Sequence, residues 1–170
     1  MSYQPIENYG IIGNLNTVAL VGKHGSIDFM CFPRFDSPTL FAALLDDKKG
    51  GHFKIAPTGK KIRSRQMYMP DTNVLLTRFF SDEGVATLSD FMPVSESSRS
   101  NTLIRRLKVV RGELTFQMAC APRFDYGRAS HTVQKRHGEV TFRQRGAQHI
   151  VLRLHPSVSV NIRGGDAVAE

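Results

Sequence analysis

The chain has 170 residues, of which 41% are hydrophobic and 22% charged, the composition of a globular domain rather than of a disordered segment. No run of about 18 apolar residues occurs, so we expect no transmembrane helix. The net charge of +8 permits binding to a polyanion. Two cysteines are too few for a disulfide framework or a metal site, so we expect buried thiols in a reducing, cytoplasmic compartment and, from residues 1–7, no signal peptide.

Short alternating segments begin the chain. Residues 6–13 are predicted as a strand or an extended lead-in, and residues 17–21 as a strand. Gly22 to Gly25 form a predicted hairpin turn, which leads into a strand that ends at the prolines Pro33 and Pro38. The one helical pattern is about two turns long and is predicted over 39–46, where Ser37 or Thr39 can serve as the N-cap.

The rest of the chain is predicted as strand after strand. These predicted strands cover residues 51–56, 61–69, 73–80, 85–92, 102–110, 113–121, 130–136, 140–144, 150–154 and 158–162, with a polar loop over 95–100. This regular spacing predicts an all-β, antiparallel two-sheet β-sandwich with one short helix, rather than βαβ units. Residues 164–170 look like a turn leading into another strand rather than the docked end of a domain, so we expect the natural chain to continue.

One phrase occurs twice in the sequence. CFPRFD over 31–36 and CAPRFD over 120–125 match at five of six positions. The match is coincidence, or reflects two similar strand ends with a local Arg–Asp pair, or is a sign that both loops lie at one end of the sheet and face one cleft. A proline-bracketed Arg-Phe-Asp at a strand end suits a binding site or a docking surface.

Common catalytic patterns are missing from the sequence. It has no G-x-S-x-G, H-E-x-x-H, Walker or dinucleotide-binding glycine motif, and its six histidines are dispersed, so we expect no metal and no cofactor. We place most of the histidines in turns or on the solvent face. Asp28, Asp36, Asp90 and Asp125 are available carboxylates. An inverting glycosidase needs two carboxylates about 6.5–9.5 Å apart, a spacing that no motif here specifies. Asp90 is interpreted as a hydrogen-bonded carboxylate at a strand end.

Basic residues are concentrated after residue 60. Residues 1–60 hold six Lys and Arg against five Asp and Glu, and residues 61–170 hold seventeen against ten. Most are scattered over alternating positions, and the tight groups are 105–108 (RRLK) and 135–136 (KR), so we interpret them as a solvated sheet face and do not expect nucleic acid as the partner. The absence of tryptophan and the core-type spacing of the phenylalanines count against an independent carbohydrate-binding module.

Several segments carry a family resemblance. Residues 6–13 (IENYGIIG), 19–22 (ALVG), 25–28 (GSID), 33–38 (PRFDSP) and 122–128 (PRFDYGR) together resemble the N-terminal part of bacterial and archaeal members of glycoside hydrolase family 15, the glucoamylase-like and trehalase-like proteins. The resemblance covers nearly the whole chain, in the family's order. One departure is Phe29-Met30, where many relatives have Trp-Leu.

This resemblance implies a supersandwich-like β-sandwich domain followed by an (α/α)6 barrel that carries two catalytic glutamates and inverts the anomeric carbon. That barrel needs several hundred further residues, so no catalytic residue is assigned in this chain. We expect a non-catalytic domain that packs on the barrel, with the catalytic domain of the same parent chain and its α-glucoside substrate as partners. The candidates for substrate or interdomain contact are Pro33, Arg34, Phe35, Asp36, Arg123, Phe124 and Asp125.

Two other functions remain open from the sequence. The charge of +8 suggests a stand-alone basic β-sandwich that binds glycans or polyanions. The second is a purely structural domain, which would expose an apolar patch and form a homodimer through that patch. Neither function involves a membrane.

Overall fold

The structure, a computed structural model, describes residues 3–94, 101–146 and 149–170. The predicted polar loop over 95–100 lies outside these ranges. A 3-10 turn over Ile6–Asn8 precedes the first strand. The strands of the described ranges are β1 (Tyr9–Gly13), β2 (Val18–Gly22), β3 (Ser26–Cys31), β4 (Thr39–Phe41), β5 (His52–Pro57), β6 (Arg63–Tyr68), β7 (Leu75–Phe80), β8 (Gly84–Phe91), β9 (Ile104–Gly112), β10 (Phe116–Ala121), β11 (His131–Arg136), β12 (Glu139–Gln144), β13 (Val151–Leu154), β14 (Asn161–Arg163) and β15 (Asp166–Ala169).

These strands form three antiparallel sheets. The large sheet has the order β1-β2-β3-β5-β10-β15-β14, with β4 paired to β3. The second sheet has the order β6-β7-β8-β9, and the third has the order β11-β12-β13. The predicted all-β antiparallel class is confirmed, and the described ranges hold three sheets where the sequence predicted two.

The large sheet and the four-stranded sheet pack against each other. Gln66 on β6 donates a hydrogen bond to the carbonyl of Val21 on β2 at 3.1 Å. The rings of Phe79 on β7 and Phe116 on β10 meet edge to face, with centroids 5.8 Å apart. Aromatic pairs of this geometry add about 0.5–1.5 kcal/mol beyond the area that they bury. The two sheets therefore form the layers of a sandwich.

The hydrophobic core draws on all three sheets. Along β8, the residues alternate between buried and half-buried, as expected for a strand with one face on the core. The largest fully buried side chains are Phe41, Phe79, Phe124, Phe142, Ile12, Ile27, Leu40, Leu75, Leu88, Met92, Val21 and Val140. Of the eleven phenylalanines, five are buried and Phe32 packs against the core, which supports their interpretation as mainly core residues.

The helix predicted over 39–46 is wrong. Thr39–Phe41 is the strand β4, all three of its residues are buried, and turns follow it. Phe41 pairs with Met30 on β3, and the carbonyl of Leu40 accepts a hydrogen bond from the backbone N–H of Arg123 at 2.9 Å. Pairing with the large sheet and burial outweigh a weak local helical preference in so short a segment.

The end of the chain also differs from the prediction. The turn at Gly164-Gly165, where φ is 59° and 89°, leads into β15 within residues 164–170 themselves. This strand pairs with β10 on one side and β14 on the other, and Ala167 is fully buried. The predicted strand exists, but the segment is docked in the large sheet rather than leading away from it.

Candidate functional site

The two Pro-Arg-Phe-Asp loops lie at the same edge of the large sheet. β3 and β10 each pair antiparallel with β5, which lies between them, so β3 and β10 run in the same direction. The loops that follow these two strands therefore leave the sheet at one edge. The structure thus supports the common position of the two loops, while a cleft faced by both stays a prediction.

The first loop is exposed and is closed by an ion pair. Arg34 Nε lies 3.1 Å from Asp36 Oδ1, and Arg34 Nη2 lies 2.8 Å from Asp36 Oδ2. Between them, Phe35 is 66% exposed, which is unusual for a phenylalanine in this chain. The loop thus presents an aromatic ring beside a bidentate Arg–carboxylate pair.

Backbone contacts hold this loop in place. The N–H of Phe35 donates to the carbonyl of Asn16 at 2.8 Å. The side chain of Asn101 donates to the carbonyl of Pro33 at 2.6 Å and accepts from the Asn14 side chain at 2.8 Å. The exposed tip is therefore fixed by its main chain, while the Phe35 ring has no such restraint.

The second loop is built differently, although its sequence is nearly the same. Phe124 is 1% exposed and packs against His131, with ring centroids 5.6 Å apart. Arg123 donates to Asp166 on β15 at 2.6 and 3.1 Å, and Asp125 pairs instead with Arg128 at 2.8 Å. Both loops therefore hold a local Arg–Asp pair, but in the second loop the partner of Asp125 is Arg128 rather than the Arg123 of the repeated phrase.

The second loop also supports the segment that follows the first. The N–H of Tyr126 donates to the Thr39 hydroxyl at 3.2 Å, and the N–H of Arg123 donates to the Leu40 carbonyl on the same strand. The backbone of the second loop at Arg123 and Tyr126 thus contacts β4, the strand that follows the first loop.

A buried polar cluster around Asp28 was not predicted from the sequence. Asp28 is 7% exposed and accepts hydrogen bonds from the Tyr9 hydroxyl at 2.8 Å and the Ser26 hydroxyl at 2.5 Å. His24 Nε2 lies 3.5 Å from Asp28 Oδ2. Burial and the bond to Asp28 raise the pKa of Tyr9, and burial lowers the pKa of His24. The signal was the pair Ser26 and Asp28, two residues apart on one strand face.

A second unpredicted feature is a buried ion pair on the four-stranded sheet. Arg105 Nε lies 2.8 Å from Asp90 Oδ1, and the side chains are 2% and 0% exposed. The guanidinium also donates to the carbonyls of Gly25 and Phe53 and lies over the Phe53 ring. Asp90 is hydrogen-bonded near a strand end as expected, but the solvated-face interpretation is wrong for Arg105, because its strand register turns it inward.

Most histidines follow the prediction of turns or solvent-facing positions, since His24 and His137 lie in turns and His149 and His155 are exposed. His24 and His52 are both half-buried, and burial lowers the pKa of each imidazole. His131 packs between Phe124 and Phe142, with centroid distances of 5.6 and 5.9 Å. These three histidines therefore belong to the packed structure.

The chemistry open to these groups is limited. Each carboxylate considered in the sequence already has a structural partner, Tyr9 and Ser26 for Asp28, Arg34 for Asp36, Arg105 for Asp90 and Arg128 for Asp125. Within the described ranges, no group of three or more His, Cys, Asp or Glu side chains could hold a metal ion. Burial raises the pKa of the free Cys120 thiol to about 12, so it is a poor nucleophile. At the exposed tip, the carboxylate of Asp36 is paired with Arg34.

Comparison with known proteins identifies the family of this chain. A family model described as trehalase-like, N-terminal, matches residues 1–169. The chain belongs to the trehalase-like N-terminal domain family. No solved structure matches it.

Several curated trehalases resemble this trehalase-like domain. It is 30% identical to the trehalase of Mycolicibacterium smegmatis over 98% of this chain and 28% of that protein. It is 39% identical to trehalase 1 of Sulfolobus acidocaldarius over 78% of this chain and 22% of that protein, and 34% identical to the trehalase of Thermoplasma volcanium over 80% and 23%. The chain thus spans less than a third of the length of each of these relatives. No helix in the described part of the chain is long and apolar enough to cross a membrane.

Proposed function

We propose that this chain is the non-catalytic N-terminal domain of an inverting α-glucoside hydrolase of the trehalase or glucoamylase type, within glycoside hydrolase family 15. The observation that carries the proposal is the alignment, which covers 98% of this chain but 28% of a trehalase. The catalytic glutamates would then lie in an (α/α)6 domain of the same polypeptide. The structural partners of Asp28, Asp36, Asp90 and Asp125 support a non-catalytic role for this part.

Within that enzyme, the Arg34-Phe35-Asp36 tip would contact the rim of the active site. Phe35 offers a flat apolar ring for a sugar face or a barrel side chain, and Arg34 offers guanidinium donors for hydroxyls or a carboxylate. The pair with Asp36 orients that guanidinium before any partner arrives. Arg123, Phe124 and Asp125 would act by bracing the sheet edge.

The test uses the longer natural polypeptide. Glucose release from trehalose, maltose and longer malto-oligosaccharides establishes the activity, and the anomeric configuration of the first product, followed by NMR, tests inversion. Deleting the domain should abolish folding or activity, because the barrel would lose the surface that it packs against. A longer polypeptide that hydrolyses none of these α-glucosides would contradict the proposal.

Two substitutions test the rim. Phe35→Ala and Arg34→Ala should each lower kcat/KM by roughly tenfold, the scale of one lost contact of about 1.5 kcal/mol. Arg163→Ala, at an exposed arginine on the edge strand β14, is the matched control and should leave the kinetics unchanged. Unchanged kinetics and unchanged melting in both loop variants would remove the rim role and any interface role of the tip.

The predicted homodimer and cytoplasmic location remain predictions. Size-exclusion chromatography with light scattering tests the first, and fractionation of the source cells tests the second. The alternative of a stand-alone polyanion-binding module predicts salt-dependent retention on heparin by a natural chain without a catalytic domain.

A further inference from the structure

The outer face of the four-stranded sheet carries positive charge alone. The pairing of β6, β7, β8 and β9 and the alternation of burial identify the side chains that point away from the core. The charged residues at these outward positions, which we call the basic face, are Arg63, Arg65, Arg78, Arg106, Lys108 and Arg111. All six are exposed, none of the outward positions holds Asp or Glu, and within the described ranges none of the six forms an ion pair.

This arrangement works against the stability of the sheet. Arg65 on β6 lies directly opposite Arg78 on β7. Like charges directly opposite each other on neighbouring strands are destabilising. On a surface that served only for solubility, acidic and basic residues would be interspersed. An anionic surface from outside the domain would balance these charges.

The composition of the face indicates a protein partner. Partly buried apolar side chains of Leu76, Phe80 and Phe91 lie among the cations, and five of the six cations are arginines. Arginine with apolar neighbours is typical of protein interfaces, and its planar fork matches carboxylates. Single-stranded nucleic acid would need exposed aromatic rings for base stacking, and the outward aromatic residues of this face, Phe80 and Phe91, are half-buried.

The basic face begins beside the exposed tip. Asn101, whose side chain donates to the Pro33 carbonyl at 2.6 Å, lies three residues before β9. At that end of the sheet Phe91 pairs with Ile104, and Arg106 follows two residues later. A body that meets the Arg34-Phe35-Asp36 tip can therefore extend over the adjoining end of the basic face.

We propose that the basic face is the docking surface for an acidic face of the catalytic domain carried by the same polypeptide. The inference rests on the proposed function and adds which surface of this domain is covered. The match between this domain and the M. smegmatis trehalase spans 28% of that trehalase. In a protein of that kind, most of the polypeptide lies outside this domain and is covalently linked to it. Tethering gives even a modest charge-complementary contact a high effective concentration.

Lysine labelling of the longer polypeptide tests the proposal. Lys108 is exposed in the domain structure, so slow acetylation would report a cover from outside it. At low ionic strength, Lys108 should be acetylated about tenfold more slowly in the folded protein than in the same protein unfolded in urea. This ratio is expected if the docked state outnumbers the undocked state by about ten to one. At 1 M NaCl this protection should fall, because salt screens charge pairs at the rim of an interface.

A charge reversal provides the second readout. Arg78→Glu, at the centre of the basic face, should restore rapid labelling of Lys108, while Arg78→Lys should keep it protected. A glutamate near Lys108 would by itself slow acetylation by favouring the charged amine, so a faster rate reports undocking. Arg143→Glu, on the exposed face of β12, is the matched control and should change nothing.

Other outcomes overturn the inference. If Lys108 in the unaltered protein is labelled as fast as in the unfolded chain, the basic face is uncovered. If Lys108 is free but becomes protected on addition of heparin or single-stranded DNA, the face serves a polyanion instead. Glucose release measured on the same preparation separates the two proposals: an active enzyme with freely labelled Lys108 rejects only the docking face, and an inactive protein with protected Lys108 rejects only the hydrolase function.

Discussion

Arg105 and Asp90 lie directly opposite each other on β9 and β8, and their side chains form an ion pair that is sealed from solvent. The Arg105 guanidinium also donates to the carbonyls of Gly25 and Phe53, which belong to the facing large sheet. One buried cation therefore ties together the two layers of the sandwich. The buried Arg105 guanidinium is stable inside the protein only while Asp90 and these carbonyl groups accept its hydrogen bonds.

Removing one member of the pair should be strongly destabilising. Asp90→Ala should lower the free energy of unfolding by about 3–5 kcal/mol, because a buried guanidinium loses its countercharge. Asp90→Leu combined with Arg105→Met should cost less than Asp90→Ala alone, since no uncompensated charge is left. Urea denaturation measures both. Arg106→Met, at the exposed neighbour, should stay within about 0.5 kcal/mol of the wild type; a loss below 1 kcal/mol in Asp90→Ala would show that the pair is not what holds the layers.

Two glycines separate the cost of backbone conformation from the cost of close packing. Gly25 and Gly138 have φ of +79° and +83°, but an added Cβ would lie 2.1 Å from the Ile55 carbonyl oxygen at Gly25 and would meet nothing within 4 Å at Gly138. Gly138→Ala should therefore cost about 1–2 kcal/mol, the penalty of the left-handed region. Gly25→Ala should cost clearly more, because β3 and β5 must separate locally. Equal melting temperatures for the two variants would disprove the close approach.

The Asp28 cluster gives a third prediction. Tyr9→Phe removes the hydroxyl that donates to Asp28 and leaves a buried carboxylate with one partner fewer. A hydrogen bond to a charged group contributes about 1.5–3 kcal/mol, and a loss of this size is expected in urea denaturation. Tyr126→Phe, at a tyrosine that is 46% exposed, is the matched control and should change stability by less than about 0.5 kcal/mol. A similar effect of both changes would argue against the bond to Asp28.

Stability should also decrease in mild acid. Burial lowers the pKa of His24 and of His52 below the ordinary value of 6.5, while Asp28 acts in the opposite direction. The unfolded chain then binds protons more readily than the folded one, so this stability is fully present above pH 6.5 and is lost as the pH falls below it. The free energy of unfolding, measured between about pH 7.5 and pH 5, should fall less steeply in the double variant His24→Gln and His52→Gln.

His137→Asn is the control for this pH dependence. His137 is exposed in the turn between β11 and β12, where its φ of +48° suits asparagine. This variant should keep the wild-type slope of stability against pH. An unchanged slope in the double variant would mean that the two half-buried imidazoles do not control the response to acid.

The alternation of side chains predicted most of the fold. The strand β8 has one face on the core, and a period of two is visible in its sequence. The helix prediction over 39–46 fails because a continuous apolar run has neither a helical nor a strand periodicity. The strand conformation follows from the pairing of Phe41 with Met30, which the local sequence does not show. The third sheet could not be counted, since sheet membership depends on pairing partners far away in the chain.

Repeated sequence predicted position better than it predicted contacts. The two Pro-Arg-Phe-Asp phrases do lie at one sheet edge, yet Phe35 is exposed and Phe124 is buried. The difference comes from β15, whose Asp166 takes the Arg123 side chain, and from the packing of His131 on Phe124. Arg105 was similarly hidden within a basic run, because the register of one strand decides which of its neighbouring cations faces the core.

The position of β15 has a consequence for how the domain is made. This strand is inserted between β10 and β14, so the largest sheet is incomplete until residues 166–169 have been synthesised. During translation β10 would expose a row of unpaired backbone groups to other nascent chains, the kind of edge at which strands of different molecules associate. A chain cut before Asp166 should therefore accumulate in inclusion bodies, whereas in a chain that includes Ala169 the strand β15 can pair with β10 and complete the large sheet.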